Sequence, residues 1–244
     1  MINLIKGDCL IEMKKIISGS VDAIITDPPY GTTACKWDSV IDFGLMWEQL
    51  NRVIKPNGAI VLFGSEPFSS ALRMSNIKYF KYDWVFHKTL PVGHGYAKYR
   101  PMSNHEIISV FGKGKVTYNP QFTPREKPRT YTRKNASKSG SSSMTSHDGK
   151  TRVLKGRHPT TIQKFNTSVQ KGKLHPTQKP LALMEYLIRT YTNENETVLD
   201  FTMGSGSTMV ACQNTNRNGI GIEQDENYFK VAQDRIKENE YKLF

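Results

Sequence analysis

Short apolar runs of strand length, each followed by a stretch with helical spacing, constrain this chain more than any other feature. Ile2–Lys6, Val21–Thr26 and residues 59–63 near the start, and Thr197–Asp200 and residues 219–222 near the end, read as strands. Residues 10–17, 41–54, 68–74, 180–191, a stretch from about Ser207 and residues 226–238 have helical spacing, and residues 82–87 read as a further strand. Lys55-Pro56-Asn57-Gly58 reads as a turn that closes a helix. Strand–helix alternation of this kind predicts an α/β fold with a doubly wound sheet. Ligands of such sheets bind at the carboxyl ends of the strands, beside the point where the strand order reverses. The turns at Asp27 and Asp200 both lie at such ends, so the two are expected to line one crevice although they are far apart in sequence.

The alternation is interrupted by a basic stretch. Residues 81–175 hold 19 Lys and Arg against 4 Asp and Glu, whereas the remainder holds 15 against 18. A mildly acidic scaffold carrying so basic an insert favours a polyanionic partner, of which nucleic acid is the commonest. Within the insert, residues 125–150 are dense in Lys, Arg, Ser, Thr and Gly, which predicts a mobile loop that a ligand orders. Other classes are disfavoured. No apolar run approaches a membrane span. The opening MINLIKGDCLIEMKK puts its lysines among and after the apolar residues, the wrong order for a signal peptide. Cys9, Cys35 and Cys212 are odd in number and scattered, and His87, His94 and His105 lack carboxylate or cysteine partners at ligand spacing; neither a disulfide framework nor a metal site is expected. These features predict a cytoplasmic chain with no membrane partner.

Two segments carry chemistry. In VLDFTMGSGSTMVA, residues 198–211, a strand runs into Asp200, Gly204 and Gly206 allow a tight turn, and a helix begins at once. Backbone N–H groups at such a helix start suit an anionic or strongly polar ligand group. Glu223, ending the next strand, is placed to accept hydrogen bonds from ribose hydroxyls. Met209 stands where a dinucleotide fingerprint needs its third glycine, and no lysine follows either glycine as a phosphate loop requires. The second segment is Asp27-Pro28-Pro29-Tyr30. The exocyclic amine of a nucleobase is a poor nucleophile because its lone pair is delocalised into the ring. Acceptors aimed at its two N–H bonds favour the tetrahedral geometry that frees the lone pair. The Asp27 carboxylate and the Pro28 carbonyl offer two such acceptors on a backbone fixed by two prolines, and Tyr30 offers an aromatic face for a base turned out of the duplex.

TDPPY at 26–30, LHPTQKP at 174–180 and VLDFTMGSGST at 198–208, in that order, resemble the amino-group DNA methyltransferases that use S-adenosyl-L-methionine. The order, catalytic tetrapeptide first and glycine turn last, is similar to the circularly permuted class often called beta. FGSEPF at 63–68, W-x-x-x-K at 84–88, NHE at 104–106 and YNPQ at 118–121 support the resemblance. It implies a Rossmann-like methyltransferase sheet, circularly permuted, formed by residues 1–112 and 175–244, with a basic, partly irregular target-recognition insert at 113–174. It implies that Asp27, Pro28, Pro29 and Tyr30 form the catalytic pocket, and that Asp27, Asp200, Phe201, Gly204, Ser205, Gly206 and Glu223 surround the cofactor. Asp8 and Cys9, after the first strand, would read the cofactor adenine, Asp8 also being a candidate helix N-cap. His175 and Lys179 would face the methionine end, the lysine opposing its carboxylate. Ser207 stands where the family often has threonine.

For the substrate, the resemblance implies duplex DNA with the target base flipped out, held by Lys88 and by the insert's Arg125, Lys127, Arg129, Arg133, Lys134, Arg152 and Arg157. An Asp at the head of the tetrapeptide favours adenine N6 over cytosine N4, the runner-up. A nucleic-acid-binding module with a vestigial cofactor site is the alternative from another class. A homodimer, a companion restriction endonuclease and a bacterial or phage setting at the nucleoid complete what the resemblance implies.

Overall fold

A computed structural model describes residues 1–32, 38–132, 151–166 and 178–243. The described elements are β1 (Ile2–Lys6), α1 (Cys9–Glu12), β2 (Val21–Thr26), α2 (Phe43–Val53), β3 (Ile54–Gly64), α3 (Phe68–Ser75), β4 (Phe80–Val92), β5 (Ser103–Phe111), β6 (Thr123–Thr132), β7 (Thr151–Arg157), β8 (Ile162–Phe165), α4 (Leu181–Tyr191), β9 (Thr197–Asp200), α5 (Ser207–Asn214), β10 (Asn218–Glu223) and α6 (Glu226–Leu243). The described residues form two compact units, residues 1–119 with 161–244, and residues 120–160.

The first unit is built on an eight-stranded sheet in the order β1-β10-β9-β2-β3-β5-β4-β8. From β1 to β3 all neighbours are parallel, while β5 runs antiparallel to both β3 and β4. Alternating side chains explain how both faces are covered. Along β3, Ala59, Val61 and Phe63 join a core shared with Leu183, Leu187 and Tyr191 of α4 and with Met209 and Val210 of α5. Ile60 and Leu62 point the other way, onto Met46, Trp47 and Leu50 of α2 and Phe68 and Leu72 of α3. A strand buried on both faces reads as a continuous apolar run, as these strands do. Each such side chain, buried in full, contributes roughly 1.5–3 kcal/mol of transfer free energy. The α/β, doubly wound sheet expected from the sequence is therefore the architecture found.

Three local expectations are corrected. Lys55-Pro56-Asn57-Gly58 is not a turn after a helix but part of β3. Its pairing with β2 jumps from Val21↔Ile54 to Ala23↔Ala59, so the four residues bulge from the ladder, where a proline without an N–H does no harm. The expected helix at 10–17 is α-helical only over Cys9–Glu12 and tightens into a 3-10 turn at Met13–Lys15, where the Arg52 guanidinium takes the carbonyls of Met13 and Ile16. The loop expected at 125–150 is a hairpin on its flanks: β6 and β7 pair antiparallel, with Thr123 opposite Arg157 and Thr132 opposite Thr151. Residues 133–150 lie outside the described part. Ile162–Phe165, which the sequence groups with the insert, pairs with β4 in the main sheet. Among the described residues no helix is long and apolar enough to cross a membrane.

Candidate active site

Strand order reverses between β2 and β9. From β2 the chain moves to β3 on one side, and from β9 to β10 on the other, while Ala23↔Val198 and Ile24↔Leu199 hold the two strands together. Their carboxyl ends consequently open into one cavity of about 690 Å³. Asp8, Cys9, Asp27, Pro28, Pro29, Tyr30, Lys88, Lys179, Asp200, Phe201, Gly204, Ser205 and Glu223 all line it, so the structure brings thirteen of the sequence-predicted residues into a single crevice. Gly206 is not among the lining residues. Arg133, Lys134 and His175 lie outside the described residues, as does the side chain of Arg152.

The glycine turn is held from below and from both sides. Phe201 N donates to the Thr26 hydroxyl at 3.2 Å and Met203 N to the Ile222 carbonyl at 2.9 Å. The buried Asp200 carboxylate accepts from Thr202 N at 3.2 Å and from the Thr208 hydroxyl. Burial nonetheless pushes its carboxyl up to about 7, since those donors only partly replace water. Gly204 and Gly206 have φ of 53° and 78°, the left-handed region that side chains disfavour. A Cβ on Gly206 would also stand 2.9 Å from the Ala232 Cβ of α6. Gly206 is thus fixed by backbone shape and helix packing. The Arg235 guanidinium reaches over from α6 to the carbonyl and hydroxyl of Ser205 and the hydroxyl of Ser207.

At the end of β10, Glu223 Oε2 accepts from Gly204 N at 2.9 Å and Oε1 from Asp225 N at 2.8 Å. Burial raises this carboxyl above the usual range and the backbone donors oppose the rise. Asp8 is the N-cap of α1, with Oδ1 accepting from Leu10 N at 2.8 Å and Ile11 N at 3.2 Å. Its register neighbourhood is the end of β10, because Lys6 pairs with Glu223 and Gly7 N donates to the Glu223 carbonyl. The carboxylates of Asp8 and Glu223 are therefore neighbouring acceptors at the ends of adjacent strands.

The Asp27 turn is the most tightly braced part. Asp38 Oδ1 accepts from Tyr30 N at 2.7 Å and Gly31 N at 2.9 Å, and its Oδ2 from Thr32 N at 3.0 Å. The Thr202 hydroxyl donates to the Asp27 carbonyl at 3.1 Å, tying this turn to the glycine turn. Tyr30 lies against Phe68, ring centroids 5.0 Å apart, and its hydroxyl donates to Asp27 Oδ1. Burial and the neighbouring Asp27 carboxylate keep that phenol protonated well above the ordinary tyrosine range.

Lys179 and Lys88 are placed where the sequence did not anticipate. Lys179 Nζ is 2.6 Å from Asp27 Oδ2 and 3.0 Å from Glu106 Oε2, and Lys88 Nζ is 2.5 Å from Glu106 Oε1. A ladder Lys88–Glu106–Lys179–Asp27–Tyr30 thus runs along one wall of the cavity, with Lys179 also 5.0 Å from the centre of the Phe63 ring. Burial alone would lower the lysine, but the carboxylates of Asp27 and Glu106 outweigh it and hold the ammonium above its usual range. Burial likewise works against Glu106, yet the two ammonium groups bring it down to about 2. Burial lifts Asp27, with Lys179 pulling against that rise. Of the further residues that shape the site, Glu106 alone had a signal in the sequence, an acid in NHE at 104–106 directly before the apolar run Ile107-Ile108 of β5. Asp38, Thr202 and Arg235 had none, since each acts through a fold-dependent approach.

The sequence of residues 21–234 matches the N6/N4 methyltransferase family, described as DNA methylase. The chain belongs to this family. The methylase is 28% identical over 251 residues to the type II methyltransferase M.HpaI of Haemophilus parainfluenzae, an alignment covering 96% of this chain and 73% of that protein. It is similar in structure to M1.HpyAVI, solved as its complex with S-adenosylmethionine: TM-score 0.66 and 28% identity, covering 96% of the methylase and all of the other chain. The cytosine-N4-specific PvuII DNA methyltransferase shares the fold at TM-score 0.69 and 15% identity, covering 99% and 92% of the two chains.

Of the DNA contacts expected in the insert, the described Arg125, Lys127, Arg129 and Arg157 fall on the second unit. Arg125 Nε donates to the Gly156 carbonyl at 3.2 Å within the hairpin, whereas Lys127, Arg129 and Arg157 are exposed. Lys88 is not on that unit: its ion pair with Glu106 places it in the cavity wall.

Proposed function

We propose that this methylase transfers a methyl group from S-adenosyl-L-methionine to the exocyclic N6 of an adenine rotated out of duplex DNA. The observation that carries the reading is the Asp27 turn and the glycine turn facing one cavity, joined by the bond from Thr202 to the Asp27 carbonyl. The cavity fits the cofactor. Its size lies within the usual range for small-molecule sites. The lining carboxylates of Asp8 and Glu223, between apolar walls that include Leu10, Phe201 and Ile222, support the reading by offering acceptors for an amino-purine and a ribose. Bound there, the cofactor supplies an electrophilic methyl on a sulfonium centre.

The chain's own residues do the rest. Two lone-pair directions of the Asp27 carboxylate are used by Tyr30 and Lys179, and a carboxylate has about four. The remainder, with the Pro28 carbonyl, accept the two N–H bonds of the amine and turn its lone pair outward. Asp38 fixes the backbone N–H groups of Tyr30, Gly31 and Thr32, so the acceptors are aimed before the base arrives, which is where positioning lowers a barrier. As the amine becomes positive, the Asp27 carboxylate stabilises it, and burial makes that carboxylate a better acceptor for the proton the amine sheds. Tyr30 provides the wall against which the base lies. Turning the base out costs on the order of a few kcal/mol. The unit at 120–160 is proposed as the target-recognition insert. Similarity to type II methyltransferases supports a bacterial restriction–modification setting in the cytoplasm, with a homodimer and a companion endonuclease as parts of the same proposal.

Incubation with methyl-labelled S-adenosylmethionine and unmethylated duplex DNA, then nucleoside analysis by mass spectrometry, tests the reading. N6-methyladenine is the expected product. N4-methylcytosine would keep the pocket chemistry and overturn the base, and absence of label from DNA would overturn the substrate.

A further inference from the structure

Between β4 and β5 the chain makes an arm that lies outside the unit at 120–160. Pairing of Val92 with Ser103 closes its base. Gly93, at φ 95°, opens a 3-10 turn over His94–Tyr96, and the N–H groups of Tyr99 and Arg100 both return to the Tyr96 carbonyl at 2.9 and 3.0 Å. The backbone therefore shapes the arm by itself, since every side chain from residue 92 to 105 is exposed. Its composition is one-sided. No Asp or Glu occurs between Lys88 and Glu106, while His94, Lys98 and Arg100 do. Tyr99 is 86% exposed and Tyr96 60%, with the Arg100 guanidinium 5.0 Å from the centre of the Tyr96 ring. Among the described residues neither Lys98 nor Arg100 makes an ion pair. At the foot of the arm Leu90, Pro91 and Val92 line the same cavity as Asp27 and Glu106.

We infer that this arm is a DNA-strand contact of the active site, in which a base flanking the target stacks on Tyr99 while Lys98 and Arg100 meet phosphates. Interleaved aromatic and basic side chains are what a strand with unstacked bases recognises, because every base has a face to stack and every nucleotide a phosphate. An arm whose foot lines the cavity offers that surface where turning one base out disrupts its neighbours' stacking. Arg100, stacked on Tyr96, keeps its donors arranged in a plane for phosphate oxygens. The identity of the partner rests on the DNA-methyltransferase reading; the geometry of the arm does not.

The test is anisotropy of a labelled duplex with the full chain across a salt series, without cofactor, beside methyl-transfer kinetics and calorimetry of S-adenosylmethionine. Tyr99→Ala is expected to weaken DNA binding and raise KM for DNA about tenfold, and Tyr99→Phe to restore both. Lys98→Ala with Arg100→Ala should reduce the salt slope by about 1.5 to 2. Cofactor affinity should not change in any of them. Variants with the affinity and salt slope of the unsubstituted chain would overturn the arm alone, as would failure of that chain to bind duplex. RNA of the same sequence binding more tightly, and weakening more on Tyr99→Ala, would overturn DNA as its partner. A chain that binds duplex through the arm but methylates no DNA would refute the methyltransferase reading and leave the arm's role standing.

Discussion

At the scale of single residues, the site is organised by alternating charges rather than by isolated functional groups. Lys179 lies between two buried carboxylates, and Glu106 between two ammonium groups. Removing one member of such a ladder leaves its neighbour as an uncompensated buried charge, a cost larger than the net worth of the pair. Glu106 has a native pKa of about 2 against an ordinary 4.5. A depressed carboxyl contributes stability that is present above pH 4.5 and is lost as pH falls toward 2. Urea unfolding from pH 6 down to pH 2 should therefore show a steeper acid loss for the unsubstituted chain than for Glu106→Gln; equal slopes would remove the ladder as a source of stability. The roles of Asp27 and Tyr30 were legible in the sequence because four consecutive residues carry them. The ladder was not, because Lys88, Glu106 and Lys179 come from three separate segments and meet only when β4 pairs with β5 and the chain entering α4 packs beside β2. The resemblance implied that Lys179 opposes the cofactor carboxylate and Lys88 meets DNA; the ion pairs that both make in the cavity wall come only with the fold.

At the scale of elements, strands were easier to read than the features that bend them. Val21–Thr26 and Thr197–Asp200 are where their apolar runs predict, since a strand buried on both faces leaves a continuous signature. The bulge at residues 55–58 mimics a turn in composition, and only the register between β2 and β3 shows that the strand continues through it. The glycine turn shows the same gap between residue type and reason. Gly204 gives its N–H to Glu223 at the cavity, but Gly206 answers to α6, whose Ala232 would clash with any side chain. Gly206→Ala should thus destabilise the protein by about 1–3 kcal/mol through its left-handed φ and that clash, read as a lower Tm. A smaller fall in cofactor affinity than in stability is expected; unchanged Tm would contradict the packing role.

At the scale of the whole molecule, charge and chemistry are divided between parts of the chain. The scaffold outside residues 81–175 is mildly acidic, and the basic excess lies within them. Sequence composition located that excess and read residues 125–150 within it as a loop, because β6 is rich in Lys, Arg and Thr and buries little; its pairing with β7 is a matter of backbone hydrogen bonds that composition does not record. Replacing Lys127, Arg129 and Arg157 together by Ala should weaken DNA binding and flatten its salt dependence, by up to about 0.9 for each phosphate no longer neutralised. An unchanged salt slope would take the hairpin out of the DNA interface. Whether methyl transfer takes place in the crevice where β2 and β9 part is decided by one comparison. Single-turnover methyl transfer to duplex DNA is measured for the unsubstituted chain and for Asp27→Ala, with cofactor and DNA affinity determined on the same samples. Transfer should be lost, by at least about a hundredfold, while both affinities stay within a few-fold. Transfer at an unreduced rate would show that the chemistry is done elsewhere than at the turn after β2.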